Sequence, residues 1–245
     1  LQSGFLIAPK ISQFLATQNS RPLHGVLSGL DKTIVFLRAI TTLFIFIMPF
    51  TSDEIALLSS RTAFDLKFQA TEKLKTLMGG IRDAYLKLVE PDKLLAPPET
   101  DFKRGQIAKG ENYEGYPYVM LDFPKFYGRN DIFTYRTMFW YGNYFIFSVI
   151  LSGSSLQRYH ARLEEHYDDL AAKHLNLAKD DLWDWREHAT IPIIAENRDD
   201  ILNLLEHLPF LKITRHLSPD ALADESGVLH AAAEFYKATE FITRL

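Results

Sequence analysis

Apolar residues recur at helical spacing at the front and back of this chain and at strand spacing in its middle. Leu74, Leu77, Ile81, Ala84 and Leu88 step by three and four residues and pass through Gly79-Gly80 without losing phase. A helix there either continues past the glycines against a close partner or kinks at them, and Pro91 ends it. Thr51 and Glu54 have capping-box spacing, so a helix should begin near Ser52, after Pro49 has closed the one before. Thr33 to Phe50 is the most apolar stretch, but Arg38 and Thr41-Thr42 interrupt it, and a membrane span needs roughly 20 apolar residues. It reads as a helix buried on most sides, with a strand at Leu43–Met48 as the alternative.

Residues 96–115 hold Pro97-Pro98 and three glycines in no regular pattern, and read as a long loop. Residues 116–151 read as the β core. Gly142-Asn143 is a two-residue hairpin signal, which places Tyr141 opposite Tyr144, Trp140 opposite Phe145 and Tyr135 opposite Ile150. One face then carries Thr134, Arg136, Met138 and Trp140 against Phe145, Phe147, Val149 and Leu151. Both faces are too apolar to stay wet, so one should be covered by the N-terminal helices and the other by the C-terminal ones. Tyr116–Phe123 is a third strand, and Pro209–His216 alternates as an edge strand does.

Helical periodicity returns at 152–245. Leu156, Tyr159, Leu163, Tyr167, Leu170 and Leu177 share a face, a second helix spans about 196–208, Ser218-Pro219 looks like a cap, and Val228–Leu245 closes the chain. The expected fold class is α+β: one domain over 1–245, with a small antiparallel sheet from the centre of the chain flanked by N-terminal and C-terminal helices.

Composition narrows the function classes. The 245 residues are 47% hydrophobic, carry a net charge of −4 and contain no cysteine, which removes disulfides, thiolate metal sites and a cysteine nucleophile and suits a cytoplasmic setting. Residues 160–207 hold 12 acids against five bases and would repel a phosphate backbone, so no nucleic acid is expected as partner; no membrane is expected either. The start of the sequence has neither a basic region nor a cleavage-site pattern. No phosphate-loop, dinucleotide, nucleophile-elbow or zinc-protease motif is present, and no cofactor is named by the residues.

Arg136 stands out among the candidate chemistry. On an apolar strand face, a guanidinium that keeps its proton requires a carboxylate, carbonyls or a bound anion. An Asp or Glu from a covering helix would make it an internal ion pair, with Asp122 on the neighbouring strand as another candidate partner; otherwise it anchors an anionic ligand with Lys109, Tyr113, Tyr116 and Tyr135, helped by backbone donors at Gly105, Gly110 and Gly115. His160 and Glu164 lie four apart on one helix, as two metal ligands must. The Trp183–His188 segment has the residue types of an interface anchor. The favoured function is a module that binds a small anionic molecule. The alternatives are a metal-assisted hydrolase built on His160 and Glu164, and a homodimeric interaction protein.

Overall fold

The computed structural model describes residues 49–245; the stretch 33–48, with its helix-or-strand expectation, lies outside them. The chain divides between Ser60 and Arg61 into two units. The described part of the first holds one helix, α1 (Ser52–Ser59). Its capping box forms as the sequence predicts: the Glu54 amide donates to Thr51 Oγ1 at 3.2 Å and the Thr51 amide to Glu54 Oε2 at 2.6 Å.

The second unit opens with α2 (Arg61–Leu86), which runs unbroken through both glycines. A Cβ on Gly80 would come within 3.3 Å of the Leu229 side chain, so a helix partner sits close at that point. The helix stops at Leu86, short of Pro91, which instead opens a 3-10 turn.

Seven antiparallel strands follow: β1 (Gln106–Tyr113), β2 (Tyr116–Tyr127), β3 (Ile132–Trp140), β4 (Phe145–Ser152), β5 (Asn176–Ala178), β6 (Thr190–Pro192) and β7 (Phe210–Leu217). Their order in the sheet is β1-β2-β3-β4-β7-β5-β6. Helices α3 (Leu156–Glu165), α4 (Tyr167–Ala171), α5 (Arg198–Leu205) and α6 (Glu225–Thr239) complete the α+β fold. The single helix expected from Ser155 to Leu177 breaks at His166, and Leu177 belongs to β5.

Three strand expectations are corrected. The second half of the expected loop is β1, closed onto β2 by a tight turn in which Glu114 (φ 52) and Gly115 (φ 87) both take positive φ, as a primed hairpin turn demands. As an edge strand exposed along most of its length, β1 shows no apolar alternation to reveal it. Pro209–His216 becomes β7, an interior strand between β4 and β5 and not an edge.

The β3–β4 hairpin is one residue out of the expected step. Phe139 pairs with Phe145, Arg136 with Ser148 and Tyr135 with Val149. Its loop is three residues long: the Asn143 amide donates to the Trp140 carbonyl at 3.0 Å, and the Trp140 amide to the Tyr144 carbonyl at 3.0 Å. Only Gly142 takes positive φ (72°), the third position of a type II turn. A one-residue slip moves every β4 side chain to the other face. Phe145, Phe147, Val149 and Leu151 therefore join Phe133, Tyr135 and Phe139 in the main core, while Ser148 falls beside Arg136, polar against polar.

The main core faces α2, α3 and α6 together, so α2 from before the sheet and α3 and α6 from after its fourth strand cover the same face. The opposite face, with Met138, Trp140, Ile146 and Ile150, is covered by Leu182 and Trp185 from the irregular segment before β6. Among the described residues no helix is long and apolar enough to cross a membrane.

Candidate functional site

On that second face, Asp122 on β2 and Arg136 on β3 are direct cross-strand partners. The guanidinium is held bidentately, Nε to Oδ1 and Nη2 to Oδ2 at 2.7 Å each, and Nη2 also donates to Tyr127 Oη at 2.9 Å. Tyr127 donates in turn to Asp122 Oδ2. The rings of Trp183 and Trp185 lie 5.3 and 5.4 Å away. Burial opposes the charge, but Asp122 and then Tyr127 more than restore it and hold the guanidinium above its ordinary range. This is an internal ion pair, made with Asp122 on the neighbouring strand and not with a carboxylate of a covering helix, and it leaves the arginine engaged.

The remaining expected ligand residues do not converge. Lys109 is exposed on β1 and pairs with Glu111 at 3.3 Å. Tyr113 anchors the covering segment, its hydroxyl accepting from the Trp185 amide at 2.8 Å. Tyr116 is exposed at the hairpin turn, 6.2 Å from the Trp140 ring. Tyr135, next to Arg136 in β3, faces the helices, fully buried against Tyr236. The Gly105 amide donates to Asp101 and the Gly115 amide to Asn112 Oδ1, while Gly110 stands opposite Tyr118 in the β1–β2 ladder.

The Leu182–Arg186 segment closes over the sheet through backbone contacts the sequence conceals. Lys212 on β7 is fully buried, and its Nζ donates to the carbonyls of Leu182 (3.0 Å) and Asp184 (2.7 Å), 3.7 Å from the Trp185 ring centre. Burial pulls its amine down to about 7. Tyr144 donates to the Trp185 carbonyl, and Arg186 grips Asp184, whose carboxyl it lowers to about 2. The tryptophan-rich segment is thus a strap on its own sheet.

His160 and Glu164 do share a side of α3, lining a groove of about 570 Å³ with Leu202, Leu205 and Glu206. His160 Nε2 lies 3.4 Å from the Phe210 carbonyl, and burial lowers the imidazole below its ordinary range. Among the described residues no group of three or more His, Cys, Asp or Glu is placed to hold a metal ion.

Another site arises where β7 passes the end of α6. Lys173, His174, Arg215, His216, Glu234 and Lys237 line a surface recess of about 490 Å³. His174 takes φ 53 at the turn entering β5, an uncommon backbone for a residue with a side chain. Arg215 is half-buried; Nη2 donates to the Lys173 carbonyl at 2.9 Å, the Phe235 ring lies 5.9 Å away, and no described carboxylate reaches ion-pair distance. Burial pulls its guanidinium below the ordinary range, an effect that Glu234 only partly offsets. Glu234 itself is paired with Lys237 at 3.0 Å. These cations come from three distant segments, so no sequence spacing announces them.

No protein-family model, curated protein or solved structure matches the chain.

Proposed function

We propose that this protein binds a small anionic molecule, and that the anion sits in the recess around Arg215 and not at Arg136. The supporting observation is Arg215 itself: a half-buried guanidinium that cannot shed its proton and has one carbonyl but no described carboxylate at ion-pair distance, Glu234 offsetting its burial only in part. Burying such a charge is costly, and an anion drawn from solution offsets that cost. Lys173 and Lys237 add charge to the lining, Lys237 sharing its own with Glu234, and His174 adds an imidazole. The demand that a buried arginine makes on its surroundings is met inside the protein for Arg136 and left open for Arg215.

Thermal-shift measurements at fixed ionic strength, with inorganic phosphate and small phosphate esters as probes, test the reading. A saturable rise in Tm is expected, reaching about 2.7 kcal/mol of added stability at a hundredfold excess over Kd. Arg215→Gln should abolish the rise while the variant stays folded. An unchanged response in Arg215→Gln would sink the proposal.

Self-association is a second reading, favoured by one observation. Phe64 and Phe68, four apart on α2, continue the buried stripe of Thr71, Leu74 and Met78 into solvent, where they are 49% and 66% exposed. A second copy of the chain would cover them. Light scattering of the wild type against Phe64→Ser/Phe68→Ser separates a dimer from a monomer.

A further inference from the structure

A different recess, of about 430 Å³, lies between α2, the β3–β4 loop and the turn leading into α6. Its volume falls at the small end of ligand pockets, which run roughly 300–1,000 Å³. The walls are apolar: Leu74 and Leu77 from α2, Phe139 from β3, and Leu222, a leucine left 38% exposed at this spot. Leu222 is held there by a 3-10 turn (Pro219–Ala223) whose start is capped by Ser218, Oγ accepting from the Asp220 amide. Tyr141 forms part of the wall and is fixed by a 2.7 Å hydrogen bond between its hydroxyl and Thr71 Oγ1.

Two opposite charges complete the lining, Lys73 on α2 and Glu225 in the first turn of α6. Neither forms an ion pair with the other or with any described residue. An apolar recess bordered by one free cation and one free anion is complementary to a molecule with an apolar body and both charges at its head. Lys73 would take a carboxylate and Glu225 an ammonium, while Leu74, Leu77, Phe139 and Leu222 surround the body. A purely apolar ligand would leave both charges unused, and a simple anion would meet Glu225 repulsively.

We propose that this recess binds a free α-amino acid with an apolar side chain, L-phenylalanine or L-leucine in size. The site is separate from the recess around Arg215 and stands or falls independently of it.

Isothermal titration with L-phenylalanine, 3-phenylpropionate (no ammonium) and phenethylamine (no carboxylate) tests the idea on the full chain. Saturable binding of phenylalanine is expected, at least tenfold tighter than either analogue. Lys73→Gln should weaken phenylalanine about tenfold yet leave phenethylamine unchanged; Glu225→Gln should do the same for phenylalanine and leave 3-phenylpropionate unchanged. Both substitutions are at exposed positions, so the fold should survive, as circular dichroism can check. Absence of phenylalanine binding, equal affinity for all three compounds, or indifference to both substitutions would overturn the proposal.

Discussion

Arg136 and Lys212 show how differently two buried cations can be accommodated on one sheet face. Arg136 has a bidentate carboxylate, so Arg136→Ala strands Asp122 and should cost about 3–5 kcal/mol in urea unfolding, as breaking a buried pair does. Binding of phosphate should survive in the folded fraction. Lys212 has carbonyls and a ring but no carboxylate, and its amine falls from 10.5 to about 7 in the fold. Between those values the unfolded chain holds a proton that the fold has released, so raising the pH favours the fold. Stability should climb between pH 7 and about 9.5 by on the order of a few kcal/mol. Above pH 10 it should fall, because burial raises the hydroxyls of Tyr85, Tyr135 and Tyr236 and the unfolded chain alone then ionises. Lys212→Met should flatten the rising limb, and a limb that persists in that variant would remove Lys212 as its cause. Arg136 and its partner Asp122 were legible because a charge on an apolar strand face must be matched. Arg215 was not, since its exposure depends on where α6 and the turn before β5 come to rest.

At the scale of elements, strand identity was easier to read than strand register. The Gly142-Asn143 pair located the hairpin but not its step or its loop length. The turn type was decided by how many residues take positive φ, and here one does. Gly142→Ala should therefore cost about 1 kcal/mol or more, because a side chain disfavours φ near 72°. Asn143→Ala should cost less, as it forfeits mainly the side-chain bond to the Tyr141 carbonyl. Equal costs in urea titrations would point back to a two-residue turn. The short strands β5 and β6, three residues each, carry too little pattern to be read in advance. Lys212, within the stretch expected as an edge strand, is buried because β5 pairs on the far side of β7 and the strap closes above it.

The whole molecule sets a net charge of −4 and an acid-rich stretch at 160–207 against one recess in which cations prevail. A local concentration of charge on such a background focuses anions toward one place, and its pull should weaken as salt rises. His216, next to Arg215 in β7, turns to the opposite face, where its ring lies 4.7 Å from that of Tyr144 and burial lowers its imidazole below the ordinary range, so it adds no charge beside Arg215. The α+β class followed from periodicity alone. The placement of both helix sets on one face did not, because it depends on the close approach of α2 and α6 at Gly80. The most direct test of the account is an isothermal titration of inorganic phosphate into wild type and Arg215→Gln at matched ionic strength. One site in the wild type, weakened at least tenfold (about 1.4 kcal/mol) in the variant, is the expected result; equal affinity in both proteins, or no heat of binding in either, would contradict it.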